Sequence, residues 1–195
     1  MTDTSVRRRG PGSRAGERHP TRQELVEAAA ALAQTDGLTS LSVDAITRAA
    51  GHAKGTFYVH FGDRAELLVV LHRRFHDELF EAIRRDSADL PQGPNRARAR
   101  IMAFLDGCRR QPGVRSMLLQ ARVLPEISEL ARQRNTEAAR ELAVDLMEVA
   151  VTPYETAQLL VAATVEVALL ELRARRRLPR LRGALAAMVP GADRP

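Results

Sequence analysis

The chain has no tryptophan, and its five phenylalanines and two tyrosines bring aromatics to only 4% of 195 residues. Leu, Ala and Val must then pack the core, which suits helices better than sheets. A single cysteine, Cys108, excludes an internal disulfide, and the expected setting is a reducing cytoplasm. No useful stretch alternates with the period of a strand, and no repeat recurs. The longest apolar run, 159 to 170, is about 12 residues and contains Glu166, whereas a bilayer span needs about 20. The N-terminus lacks the apolar stretch of a signal peptide, so no membrane partner is expected. There is no nucleophile–base pair, no metal-ligand set and no phosphate loop. An enzyme is therefore not expected, and neither is a cofactor.

What is present is a helical composition with an uneven charge. Hydrophobic residues make up 45% of the chain and the net charge is +6. Residues 1 to 22 place Arg7, Arg8, Arg9, Arg14, Arg18 and Arg22 against only Asp3 and Glu17, interspersed with Gly and Pro. This composition reads as a disordered basic arm over 1–20. It serves either as a tether that neutralises phosphates or as a solubilising tail.

The helices are punctuated by caps. Thr21-Arg22-Gln23-Glu24 has the form of a capping box, and Gly37 suits a left-handed C-cap, giving a first helix over 22–36. Leu41 and Ile46 flank Ser42 as a hydrophobic staple, so a second helix starts near Val43 and ends at Gly51. A third runs from Lys54 to Phe61. Asp63-Arg64-Ala65-Glu66 opens a long fourth, whose core stripe is Leu67, Leu71, Phe75, Leu79 and Ile83. After the loop 89–94 the pattern stays helical. One amphipathic helix carries Ile101 to Cys108 and stops at Pro112-Gly113, and a shorter one stops before Pro125. A long helix covers 127–151, one opened by Thr152-Pro153-Tyr154-Glu155 is apolar on most faces, and a last short one begins at Pro179. The expected fold is all-α, with nine or ten helices.

The segment 42–64, SVDAITRAAGHAKGTFYVHFGDR, is two short helices joined by a tight turn. Ala49, Ala50 and Gly51 let them approach closely, while Ile46 and Phe57 have the spacing to pack between them and Phe61 to anchor the end. Lys54, Thr56, Tyr58 and His60 are then left to face outward, with donors and acceptors suited to phosphates and base edges and a Thr methyl suited to thymine. Lys54 is the one lysine among 30 basic residues. The segment reads either as a DNA-reading helix-turn-helix or as a small helical subdomain with a buried Phe-Tyr pair.

These residues resemble the N-terminal domain of the tetracycline-repressor-like (TetR) family of transcriptional regulators. The resemblance lies in Ile46, Ala50-Gly51, Gly55-Thr56-Phe57-Tyr58, His60-Phe61 and Arg64 before Leu67, and covers about 21–71. It implies a homodimer that binds a palindromic operator on double-stranded DNA, usually represses, and is usually released by a small molecule held in the C-terminal domain. It also implies DNA contacts by Lys54, Thr56, Tyr58 and His60, by Ser42 at the start of helix two, and by Arg64 at the start of helix four. His52 and Ala53 depart from the family pattern, the latter where a capping Ser is common. His52 is either a phosphate contact or an exposed turn histidine.

The expected division is an arm over 1–20, a helix-turn-helix domain over 21–66, a regulatory and dimerisation domain over 67–190 and a tail over 191–195, with helix four as the lever between the two domains. An effector pocket between the later helices would be apolar, with Met102, Leu105, Met117, Leu118, Leu124 and Val165 as linings. Gln120, Arg122, Thr164 and Glu166 are the polar residues within reach. Each is either a ligand contact or a satisfied interhelical or surface residue. The expected effector is apolar or amphipathic, and anionic if Arg122 faces inward. His72 and His76 have the spacing of a two-His metal pair, but no Cys or carboxylate cluster completes one, and Leu71 and Phe75 are expected to own the buried face. The apolar helix from 153, with 179–189, forms either half of a dimer interface (153–189) or part of the chain's own core. The reading from another class is an architectural DNA binder of low specificity, for which affinity would follow salt rather than sequence.

Overall fold

The computed structural model describes residues 19–36, 38 and 41–191. The expected basic arm up to residue 18, the Gly37 cap and the end of the tail from residue 192 lie outside them. Among the described residues there are nine α-helices and no strand.

Helix α1 (Pro20–Asp36) begins earlier than the expected capping box. His19 Nδ1 accepts from the Thr21 amide at 3.3 Å, and Pro20 sits at a first-turn position where its missing N–H costs nothing. Glu24 does not fold back on Thr21. Its carboxylate lies 2.7 Å from His52 Nε2 instead. Arg22, counted with the arginines of residues 1–22, is built into the domain: it is buried, its guanidinium sits 4.5 Å over the Phe61 ring, and it pairs with Glu66 at 3.7 Å.

Helix α2 (Val43–Ala49) is capped by Ser42, whose Oγ accepts the Ala45 amide at 3.1 Å, and the stapling pair Leu41 and Ile46 is fully buried. Helix α3 (Lys54–His60) starts after Ala53 with no side-chain cap. Helix α4 (Arg64–Asp86) has its box: Asp63 accepts from the Glu66 amide at 2.9 Å, and Glu66 reaches one residue further than expected, to the Gly62 amide at 2.7 Å. Its expected stripe, Leu67 through Ile83, is buried throughout.

The remaining helices all open on proline: α5 (Pro94–Arg110), α6 (Pro112–Gln120), α7 (Pro125–Leu146), α8 (Pro153–Ala174) and α9 (Pro179–Ala187). Pro112 thus starts a helix directly after α5 rather than marking a gap, because proline is accommodated at the first turn while ending the helix before it. A single 3₁₀ turn, Ala121–Val123, joins α6 to α7, and α7 stops at Leu146, short of the expected 151.

Helices α1, α2 and α3 close around Leu25, Ile46, Phe57 and Phe61, all with no solvent exposure. Helix α4 continues into the second group, where α7 and α8 pack most extensively and α5 lies between α4 and α8. Two buried carboxylates pin this group. Asp145 on α7 receives Arg96 at 2.6 Å and Arg100 at 3.0 Å from α5. Glu171 on α8 accepts Arg182 of α9 at 2.6 Å and the Leu178 amide at 2.8 Å. Helix α8 is not buried on most faces within the chain. Ala157, Leu160, Thr164, Val167, Ala168 and Glu171 form its covered side, while Leu159 is 68% exposed.

Candidate DNA-reading surface and inner cavity

The turn between α2 and α3 is held by backbone geometry. Gly51 adopts φ +73°, a region that costs other residues strain, and the His52 amide donates to the Thr47 carbonyl at 2.8 Å. Ile46 and Phe57 fill the angle between the helices, and Phe57 meets Phe61 with ring centroids 5.2 Å apart.

Fixing Phe57 and Phe61 inward fixes what α3 presents outward. Lys54, Gly55, Tyr58 and Val59 are exposed and share one face, with Thr56 half-buried at its edge. Tyr58 is 50% and Val59 52% exposed. His60 departs from the expected outward set. It is buried, its ring lies 4.8 Å from His19, and its Nδ1 has no partner. Burial, then the charges of His19, Arg22 and His52, push its pKa below the ordinary histidine value. The residue ends α3 one turn after Phe57 and is drawn to the same side, which outward spacing alone did not register.

The other candidate contacts are engaged within the chain. The Lys54 ammonium lies 3.1 Å from the Asp44 carboxylate, both exposed, so the pair is easily exchanged for another anion. Arg64 Nη2 donates to the Leu38 carbonyl at 2.6 Å, tying the start of α4 to the segment before α2. Ser42 is exposed at the start of α2 with its hydroxyl on the Ala45 amide. His52 is held by Glu24 rather than left as a bare turn histidine.

Between α4, α5, α7 and α8 lies an apolar cavity with about 70 Å³ of free volume, bounded by His76, Phe80, Phe104, Val161, Thr164 and Val165 among others. Of the lining residues expected from sequence, Thr164 and Val165 stand here. Leu105, Met117 and Leu118 are buried in the core away from it, and Met102 is half-buried. Thr164 spends its hydroxyl on the Leu160 carbonyl at 2.6 Å. Glu166 and Gln120 are exposed, Leu124 and Arg122 half-buried. His72 and His76 correct the sequence reading, for they share the buried face of α4 with Leu71 and Phe75 and stack at 4.4 Å. Burial, reinforced by Arg115 and Arg134, pushes His72 down to about 4 and His76, which also feels His72, to about 2. Among the described residues, no group of three or more His, Cys, Asp or Glu stands together to hold a metal ion. Cys108 is buried, and burial raises its thiol pKa.

The model of bacterial regulatory proteins of the tetR family matches residues 25–71, the stretch from α1 through the turn into α4. Residues 25–71 are similar to the DNA-binding domain of that family. Several solved structures share the tetR-family fold over most of the chain. A TetR-like transcriptional regulator from Rhodococcus sp. RHA1 is 20% identical, with a TM-score of 0.67 over 87% of this chain and 93% of that one. A transcriptional regulator from Aquifex aeolicus VF5 is 19% identical, with a TM-score of 0.66 over 86% and 96%. The multidrug binding protein EbrR, solved complexed with imidazole, is 19% identical, with a TM-score of 0.71 over 90% and 98%. No curated protein matches in sequence.

Within the stretch that matches, Val59 and Gly55 were missed as surface determinants. Val59 follows Tyr58 at a position whose apolar character suggests core, and only the side on which Phe57 lies shows otherwise. Gly55 sits inside a helix, where glycine is unfavourable, yet a β-carbon there would meet nothing within 4 Å. The fold does not require a glycine at this point.

Proposed function

We propose that the protein is a homodimeric, sequence-specific DNA-binding regulator, acting as a cytoplasmic repressor released from a palindromic operator by a small apolar or amphipathic effector. The observation that carries this reading is the exposed face of α3, where Lys54, Gly55, Tyr58 and Val59 stand clear of a fully buried Ile46–Phe57–Phe61 support. A slim helix presenting an ammonium, a phenol and an apolar group fits a major groove about 12 Å wide. Thr56 lies at the edge of this face, and Ser42 and Arg64 flank it at helix starts suited to phosphate. His60 supports it from within.

In this reading 21–66 binds DNA, and 67–190 senses the effector and dimerises. The exposed apolar groups of α8 and α9, Leu159 and Leu181, and Met188 just after α9 support a paired interface over 153–189. The cavity between α4, α5, α7 and α8 supports effector binding, as does the small molecule held by the similarly folded EbrR. No helix among the described residues is long and apolar enough to cross a membrane.

The test is selection of bound sequences from a random DNA pool at physiological salt. An enriched palindrome is the expected result. Retention that depends only on salt would replace this reading with the architectural one, and absence of retention would sink both.

A further inference from the structure

One buried charge in the second group of helices has no ion-pair partner among the described residues. Arg115 on α6 is 3% exposed, and its Nε and Nη2 are buried with no hydrogen-bond acceptor. Among the described residues no carboxylate lies within ion-pair distance of it, and its guanidinium stands 6.0 Å from the centre of the Phe104 ring. Its surroundings deepen the deficit. The imidazoles of His72 and His76 both leave Nδ1 buried and unpartnered, and Arg122, half-buried, makes no ion pair either. Arg134, the other cation facing the two histidines, is spoken for by Asp77 and Glu137. The carboxylates on the flanking turns are likewise engaged: Asp77 with Arg134, Glu78 with Arg74.

This contrasts with how the chain treats buried charge elsewhere. Arg96 and Arg100 converge on Asp145, and Arg182 meets Glu171 and Asp106. A buried guanidinium without an anion is strongly unfavourable, and water relieves the hydrogen-bond deficit but not the charge. The two neighbouring imidazoles do not add to the charge, because burial and Arg115 keep them neutral at physiological pH. They are left as hydrogen-bonding groups beside a fixed cation. His76 and Phe104, which border this cluster, are also walls of the apolar cavity. A cationic, donor-rich end and an apolar body therefore adjoin.

We propose that the effector is an amphipathic carboxylate whose head group docks on Arg115 beside His72 and His76, with its apolar remainder in the cavity walled by Phe104, Phe80 and Val165. The proposal rests on the reading of these helices as an effector domain and specifies its ligand. Arginine suits the head group because its planar fork matches two carboxylate oxygens. The free volume of about 70 Å³ takes only a few carbons, and Arg115 and His72 lie behind its His76 and Phe104 walls, so the head group reaches Arg115 and a longer tail enters only as the helices part. Arg115 is also two residues from Gly113, whose amide donates to the Gln34 side chain of α1 at 3.2 Å, so a ligand that draws α6 inward acts directly on the DNA-binding domain.

The full chain, Arg115→Met and Arg115→Lys would be titrated calorimetrically with octanoate, octanamide and octylammonium, and each probe assayed for release of the selected operator. Octanoate should bind the unmodified protein at least tenfold more tightly than octanamide. Arg115→Met should abolish that preference and Arg115→Lys keep part of it. Without ligand, Arg115→Met should raise Tm, since it removes an unpaired buried charge, which a merely structural arginine would not do. Equal affinity for acid and amide, a preference that survives Arg115→Met, or a fall in Tm on that substitution would each overturn the proposal. Binding and release by octanamide or octylammonium alone would overturn the carboxylate while leaving the effector domain standing. Failure of every probe to bind would count against both.

Discussion

The amide of Gly113 donates to the Gln34 side-chain oxygen at 3.2 Å, and a β-carbon on Gly113 would stand 2.3 Å from Gln34 Cα and 2.7 Å from the Ala33 carbonyl oxygen. The start of α6 is thus seated against the backbone of α1. Helix α4 crosses between the two groups of helices by continuity of the chain, and α6 touches the first group by packing. A displacement among the later helices has two routes to α3, of which the sequence suggested one.

Replacing Gly113 with Ala should force these backbones apart. We expect a loss of about 1–3 kcal/mol of stability in urea denaturation, as overpacking typically costs. Gly183→Ala on α9, where a β-carbon meets nothing, should instead be neutral or stabilising by up to about 1 kcal/mol. Equal behaviour of the two variants would contradict the close seat of α6 on α1.

Gly55→Ala separates folding from binding. The free protein has space for the methyl, so stability should hold or rise by up to about 1 kcal/mol. Affinity for the selected operator should fall about tenfold or more, roughly 1.4 kcal/mol, if backbone and DNA approach closely there. Fluorescence anisotropy reads the second quantity, and unchanged affinity would place this face of α3 outside the interface.

Tyr58 and His60 should fail in different assays. Tyr58→Ala, at a half-exposed position, should cost about 1–3 kcal/mol of operator binding with little change in Tm. His60→Ala removes a buried ring packed on His19, so its loss should appear chiefly in stability. The opposite pattern would return His60 to the outward face.

Acid should weaken the fold through α4. His72 and His76 have folded pKa values far below the unfolded 6.5, so between those limits the unfolded chain binds protons that the native one refuses. Their contribution is complete above about pH 6.5 and declines as pH falls toward 4, where native His72 begins to protonate. The slope is about 1.4 kcal/mol per pH unit for each ring. Comparing denaturation at pH 7 and pH 5, the double variant His72→Gln with His76→Gln should show a shallower loss than the unmodified chain. A parallel loss would mean that both rings protonate freely in the native state.

Leu159, 68% exposed on α8, is the simplest probe of the paired interface. Leu159→Glu should shift the sedimentation mass from dimer toward monomer at micromolar concentration. A persistent dimer would move the interface elsewhere.

The parts of this fold that depend on neighbours in the chain were legible beforehand. Ser42, Asp63 with Glu66, Gly51 and the prolines at 153 and 179 act within a few residues of themselves, and each stands at its expected boundary. Pro112 was harder because a proline that ends one helix also opens the next. The stripe of α4 was readable from its period, yet His72 and His76 were assigned to the wrong side. A four-residue period gives the direction of a stripe, while its width depends on how many helices pack against it.

The reading surface divides in the same way. Phe57 and Phe61 could be placed inward from spacing, so Lys54 and Tyr58 were found outward. His60 turned inward because its turn is covered on one side by His19 and by Arg22 of α1, residues far away in the chain.

The sequence by itself determined the helical composition, the turn at Gly51 and the resemblance of the first domain to a known family, since propensity, capping and a contiguous motif are properties of local stretches. The tertiary structure alone decided which buried charges meet. Asp145 and Glu171 find arginines across helices, whereas Arg115 comes to rest beside His72 and His76 with none. Whether a buried charge is paired depends on partners on other helices that only packing brings into range, and no periodicity in the chain encodes that distance.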